Sequence, residues 1–273
     1  MKTQTLYSAT LLHLALCSAA SAALTVYDGF DYGAVSGDLT GKNGGSGFSG
    51  AYTDGGNSTI YSTTGLTYGT LETAGGASLT ADGGTATTLN FRGFTAISSG
   101  ETWISFLARR NGAASTTTFA GLSFYNSTGI AAADSEFSIS NAGTGGTWRL
   151  FDNNNGGATT AVSTGITIAS DSTYLLVAKI AWGAGAGGTE TVSLFVNPTL
   201  GSLPVTALAS RDINMATNID KVRIAGASGV NYTFDEIRIG DSFASVTPVP
   251  EASTSAALLL GLSSVAFRRR RSS

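Results

Sequence analysis

The sequence has one histidine and one cysteine, His13 and Cys17, and neither residue occurs again in the remaining 256 positions of the 273. The body of the chain therefore has no Ser/His or Cys/His nucleophile system, no thiolate or imidazole zinc site and no disulfide. Cations are also scarce. Lys2 and Arg268 to Arg271 are five of the fifteen basic residues, which leaves ten between Ala23 and Pro250 against seventeen acids, a balance of −7. Phosphate binding needs clustered cations, and the body has only the pair Arg109-Arg110, so no nucleic-acid partner is expected. What is present is carboxylates, hydroxyls, amides and aromatics. That inventory suits carbohydrate or calcium contact, or a structural role.

Between Ala23 and Thr247 no long segment has helical periodicity. Short runs rich in Val, Ile, Phe, Tyr and Thr recur between clusters of Gly, Asn and Ser. Thr102 to Arg109 alternates Ile104, Phe106 and Ala108 against Trp103, Ser105 and Leu107. Tyr174 to Trp182 places Tyr174, Leu176, Ala178, Ile180 and Trp182 on one face. Val192, Leu194 and Val196 share a face, as do Val222 and Ile224. Further strands are expected at 24–27, 66–71, 87–91, 118–125, 136–140, 148–151 and 232–239. About a dozen strands cannot lie in one open sheet, so the pattern predicts a single all-β sandwich over residues 23–247. Most of the 36 glycines fall between these runs, as turn residues.

The two ends differ from the body. Residues 1–22 carry Lys2, the apolar run Leu11 to Leu16 and a close on Ala20-Ser21-Ala22, the layout of a cleaved secretory signal peptide acting with the export machinery and signal peptidase. The expected mature start is Ala23 or Leu24. At the other end, Val249-Pro250-Glu251-Ala252-Ser253 precedes an apolar segment to Phe267 and then Arg268, Arg269, Arg270 and Arg271. This three-part tail (248–273) resembles the PEP-CTERM sorting signal of bacterial exported proteins, with Ala252 where the second proline of the motif usually stands. The resemblance implies processing by an exosortase-type enzyme, transient membrane anchoring, and delivery to the cell envelope or an extracellular matrix. Residues 253–267 form a helix of about 22 Å against a hydrocarbon core of about 30 Å, a short transmembrane helix. Four arginines after it would stay cytoplasmic and leave the body outside.

The body carries a second resemblance. Tyr27-Asp28-Gly29-Phe30-Asp31-Tyr32, the glycine-rich Asn43 to Gly50, the pair Tyr174 to Lys179 and Val192 to Pro198, and Phe234-Asp235-Glu236-Ile237-Arg238-Ile239-Gly240 are similar to the LamG or concanavalin A-like jelly rolls of PEP-CTERM proteins. That implies pairing of the first and last strands, and sugar or calcium binding.

Three sites follow. Asp28, Asp31 and Asp235 would supply hard oxygen ligands to calcium if the terminal strands meet; no other cofactor is expected. Trp148 and Trp182, beside glycine-rich turns and with Asn153 to Asn155 near Trp148, would stack on sugar rings if they are exposed; their alternative role is core packing. Asp134 and Glu136, two apart, would share a strand face as a glycosidase pair. Asp235 and Glu236, being adjacent, should point to opposite faces. The reading favoured is a non-catalytic exported protein sorted through its tail. Its alternatives are a polysaccharide-binding lectin-like module and a glycoside hydrolase.

Overall fold

The computed structural model describes residues 22–80, 86–126, 129, 131, 134–153, 160–215 and 217–250. The expected signal helix over 1–22, apart from Ala22, and the expected transmembrane segment 253–267 with its arginines lie outside the described residues. Among the described residues no helix is long and apolar enough to cross a membrane. The body is an all-β sandwich of two antiparallel sheets.

One sheet has nine strands. In order across it run β14 (Ala209–Ile213), β13 (Glu190–Val196), β12 (Thr173–Ala181), β7 (Glu101–Arg110), β16 (Tyr232–Gly240), β5 (Ala77–Leu79), β4 (Ile60–Ser62) and β2 (Gly37–Asp38), and β1 (Leu24–Asp28) also pairs with β16. The other has seven: β11 (Thr160–Thr167), β10 (Thr147–Asp152), β9 (Phe137–Ser140), β8 (Ala120–Tyr125), β15 (Ile219–Gly226), β6 (Thr88–Ile97) and β3 (Thr53–Asp54). The first and last strands do pair, with Leu24 opposite Gly240 and Asp28 opposite Ile237.

The period-2 faces read from the sequence pack as expected. Ile104, Phe106, Tyr174, Leu176, Val192, Leu194, Val222 and Ile224 all lie in the core between the sheets. Unlike a half-solvated sheet, the nine-stranded one is buried on both sides. Trp103, Leu107, Leu175, Val177 and Phe195 on its outer face are covered by Leu66, Leu71, Phe243 and Val246. The expected strand 66–71 is therefore not a strand but an irregular cover. Its apolar residues serve packing, which periodicity over six residues cannot distinguish from pairing. A one-turn helix, α1 (Phe243–Val246), completes the cover. Ser242 caps it reciprocally with Ser245, and the Ser105 hydroxyl donates to the Val246 carbonyl at 2.5 Å.

Candidate functional site

The Tyr27 to Tyr32 motif is a clamp rather than an open loop. Asp28 is fully buried between the sheets, paired with Arg92 of β6 at 2.8 Å. The same carboxylate accepts from the Tyr32 hydroxyl at 2.5 Å and from the Phe30 N–H at 2.9 Å. Arg92 also donates to the Tyr32 hydroxyl at 3.1 Å and to the 43–50 loop, at Gly50 O (2.7 Å), Asn43 Oδ1 (2.9 Å) and Gly44 O (2.7 Å). That loop must lie tight against β1. A Cβ at Gly47 would stand 1.9 Å from the Thr25 carbonyl, and φ there is +78°.

Asp235 is turned the other way. Its carboxylate accepts from the Leu66 and Glu236 N–H groups, both at 2.7 Å, beneath the cover of the nine-stranded sheet. Burial, reinforced by the neighbouring Glu236 charge, pushes the Asp235 carboxyl up to about 9 against the pull of its two N–H donors. Glu236 does not take the opposite face. A bulge between Asp235 and Arg238, with Glu236 at φ +56°, lets both acids bond the covering segment, Glu236 through the Ala74 N–H at 2.5 Å. Glu236 also pairs with Arg238 at 2.5 Å.

The expected calcium set is therefore not assembled. Asp28 points between the sheets, Asp235 points beneath the outer cover, and Asp31 is exposed. Among the described residues no group of three or more His, Cys, Asp or Glu could hold a metal ion. The terminal strands meet as anticipated, but alternate side chains on paired strands leave by opposite faces.

Trp148 is fully buried, edge-on to Tyr174 (5.9 Å) and Tyr232 (6.2 Å), and offers no face to a sugar. Trp182 is half-buried and packs on the core, and its Nε1 donates to Thr102 Oγ1 at 2.9 Å. Asp134 and Glu136 do not share a strand face, because both precede β9. Asp134 is exposed and bonded to the Ala131 N–H, whereas Glu136 is buried.

The outer face of the seven-stranded sheet carries a polar row at its centre, largely buried. Strand register aligns one row across it: Thr53, Phe91, Arg223, Ser123, Ser138, Phe151 and Ala161. The next row is Leu89, Ala225, Gly121, Ser140, Arg149 and Ser163. Serine and glycine thus occupy the middle of the sheet, where Ser123, Ser138 and Ser140 are buried. Gly121 is obligatory there, since a Cβ would meet the Ile139 carbonyl at 2.2 Å. On one side of these residues Arg223 lies between the rings of Phe119 and Tyr125, 5.5 and 5.6 Å from their centroids, and donates from Nη2 to Ser123 Oγ at 3.0 Å. On the other stand Arg149 and the half-buried ring of Phe151.

A relay of hydroxyls and an amide fixes this row. Ser138 donates to Ser123 at 2.8 Å, and Asn153 donates to Ser138 at 2.6 Å and to Ser135 at 2.8 Å. Arg223 Nε, Arg149 Nε and the Tyr125 hydroxyl are buried without a hydrogen-bond partner. The sugar-stacking role expected of Trp148 on β10 does not fit its burial. Trp148 looks inward, while its neighbours Arg149 and Phe151 look out. Asn153, singled out with Trp148, bonds Ser135 and Ser138; Asn154 and Asn155 lie outside the described residues.

Two concavities have their polar groups turned on one another. A cavity of about 660 Å³ beside Leu24, Tyr27, Glu72 and Pro248 contains Arg238, which is held by Glu236 and the Glu72 carbonyl. A groove of about 340 Å³ is lined by Arg109, Asn111 and Thr233, which are bonded together.

No family model and no curated protein matches this chain. Solved structures do. The globular domain of T. cruzi calreticulin is 11% identical over 71% of this chain and 85% of that one, with a TM-score of 0.50. Domain 4 of AbnA, a GH43 extracellular arabinanase from Geobacillus stearothermophilus in complex with arabinotriose, is 17% identical over 83% and 97%, at 0.49. An endo-β-1,4-glucuronan lyase from the fungus Trichoderma reesei is 13% identical over 78% and 98%, at 0.47. The likeness is one of fold, a jelly-roll, lectin-like sandwich.

Proposed function

We propose that this chain is an exported, non-catalytic glycan-binding module of the cell envelope or extracellular matrix, which meets its polysaccharide on the outer face of the seven-stranded sheet. The observation that carries the reading is the register row Arg223–Ser123–Ser138–Phe151 on that face, in which buried serines lie between a cation and a half-buried aromatic ring. Pyranose rings need an apolar face to lie on and polar groups to orient them, and the half-buried Phe151, Arg149 and Asn153 supply both on this face. The non-catalytic part of the reading is supported by the separation of Asp134 from Glu136, one exposed and one buried, because glycoside hydrolysis needs two carboxyls facing one bond.

Delivery is assigned to the ends: a signal peptide over 1–22 and a tail resembling PEP-CTERM at 248–273, with exosortase-type processing. A glycan array probed with the full-length chain tests the binding role. Retention that falls at least tenfold in Phe151→Ala, with an unchanged circular dichroism spectrum, is expected; no retention on any glycan overturns it. Replacing Arg268 to Arg271 by serine should change where the protein is recovered between membrane, envelope and medium. An unchanged distribution overturns the sorting role.

A further inference from the structure

Among the described residues six large apolar side chains stand exposed, and three of them, Leu203 (63%), Val205 (96%) and Leu208 (41%), fall in the connection between β13 and β14. Single exposed aliphatics are ordinary on any surface; three on one short loop form a patch. The loop also has no charge to strip of water. Asn197 to Ser210 contains no Asp, Glu, Lys or Arg, and the nearest charged residues in the sequence are Glu190 and Arg211.

The root of the loop is fixed. Asn197 donates its N–H to the Leu175 carbonyl at 2.8 Å and accepts the Leu175 N–H on Oδ1 at 2.9 Å, while the Leu208 N–H donates to the Leu194 carbonyl at 2.9 Å. Leu200 and Ala207 pack on the cover of the nine-stranded sheet. The tip between them presents Leu203 and Val205 to solvent, and Pro204 has no N–H to satisfy.

The same cover holds the end of the body. A Cβ at Gly69 would stand 3.5 Å from Leu200 Cδ1, and the Glu72 N–H donates to the Pro248 carbonyl at 2.9 Å. Gly69 and Glu72 are three residues apart, at most about 11 Å. The loop and the exit of the chain therefore share one side of the molecule. After Pro250, only Glu251 and Ala252 precede the apolar segment 253–267 and its four arginines.

We propose that the 197–208 loop docks on a lipid surface, with Leu203 and Val205 entering the boundary between headgroups and acyl chains beside the tail. At that depth the irregular backbone of the tip keeps its access to water, which the hydrocarbon core would deny it. The −7 balance of the body favours zwitterionic over anionic headgroups. The inference rests on the membrane reading of the tail and adds an orientation to it: the outer face of the nine-stranded sheet turns to the lipid, and the seven-stranded sheet turns away.

The full-length chain carrying Cys17→Ser and Val205→Cys has a single thiol, to be labelled with a nitrobenzoxadiazole fluorophore in phosphatidylcholine vesicles. Ala161→Cys, exposed on β11, is the reference position. Lipid bearing a doxyl group on its acyl chain should remove about half or more of the emission at 205 and leave the reference unchanged. Adding Leu203→Asp should reverse most of that quenching. A label at 205 that escapes the doxyl lipid and is quenched by aqueous iodide as fully as the reference overturns the inference. So does one shielded from iodide yet untouched by doxyl lipid, since a second copy or the tail then covers the tip. In both cases a chain that still floats with the vesicles leaves the tail reading standing; a chain that does not float overturns both.

Discussion

Asp28 and Arg92 join the two sheets through an ion pair of 2.8 Å in which both side chains are nearly sealed from solvent, at 0% and 2% exposure. The glycine-rich loop after β1 hangs on this pair through three further bonds from Arg92. Removing one partner strands the other charge in the core.

Asp28→Asn or Arg92→Met should therefore lower the unfolding free energy by about 3 to 5 kcal/mol. Urea denaturation measures this, and a loss under about 1 kcal/mol would show that the clamp is dispensable. Adding calcium should shift the urea midpoint of the unaltered chain by nothing measurable if the carboxylate is spent in this way.

Asp235 makes stability depend on pH. Its carboxyl ionises near pH 4 in the unfolded chain but keeps its proton to about 9 in the folded one. Between those values the folded state holds the extra proton. The stabilising contribution is complete below about pH 4 and is lost as pH rises toward about 9, with a slope of up to ~1.4 kcal/mol per pH unit. Asp235→Asn should flatten the profile relative to the unaltered chain. Parallel profiles for the two proteins would contradict the assignment.

Trp148 and Phe151 sit three apart on one strand, and their substitutions should separate stability from binding. Trp148→Ala empties a fully buried site and should cost about 3 to 5 kcal/mol. Phe151→Ala, at a half-buried ring on the outer face, should leave the melting temperature within a few degrees while abolishing glycan retention. Thermal melts and the array together read both effects.

Ala23 donates its N–H to Asp241 Oδ1 at 2.9 Å, and Asp241 returns an N–H to the Ala23 carbonyl at 3.2 Å. Cleavage after Ala22 would turn that amide into an ammonium facing a carboxylate. In a chain beginning at Ala23, Asp241→Asn should cost about 0.5 to 1 kcal/mol; in the uncleaved chain it should cost less. Chemical denaturation of the two lengths makes the comparison.

Much of the sandwich was legible in the sequence, because period-2 runs such as Ile104, Phe106 and Ala108 show a buried face directly. The strands missed were β2, β3, β4 and β5, of two or three residues each, too short for any period to show, and β11 and β14, whose Ser, Thr, Gly, Arg and Asp content reflects edge positions where burial is slight. The cover over Trp103 and Leu107 was misread because an apolar loop and a strand share one composition. The polar row on the outer face of the seven-stranded sheet was invisible for a different reason. Arg223, Ser123, Ser138 and Phe151 are far apart in the chain, and strand register alone aligns them. The one local signal was Asn153, noted for its nearness to Trp148 rather than for its bond to Ser138.

Strand β16 lies inside its sheet, bonded to β7, β5 and β1. The last strand in the order of the sequence is thus the keystone of the larger layer. A chain emerging from the ribosome, or threading a membrane pore, cannot close that layer until residue 240 is free, since the slots on either side stay vacant. Closure of that layer waits for its last strand. Such a delay keeps a polypeptide pliable for exactly as long as a narrow channel requires it.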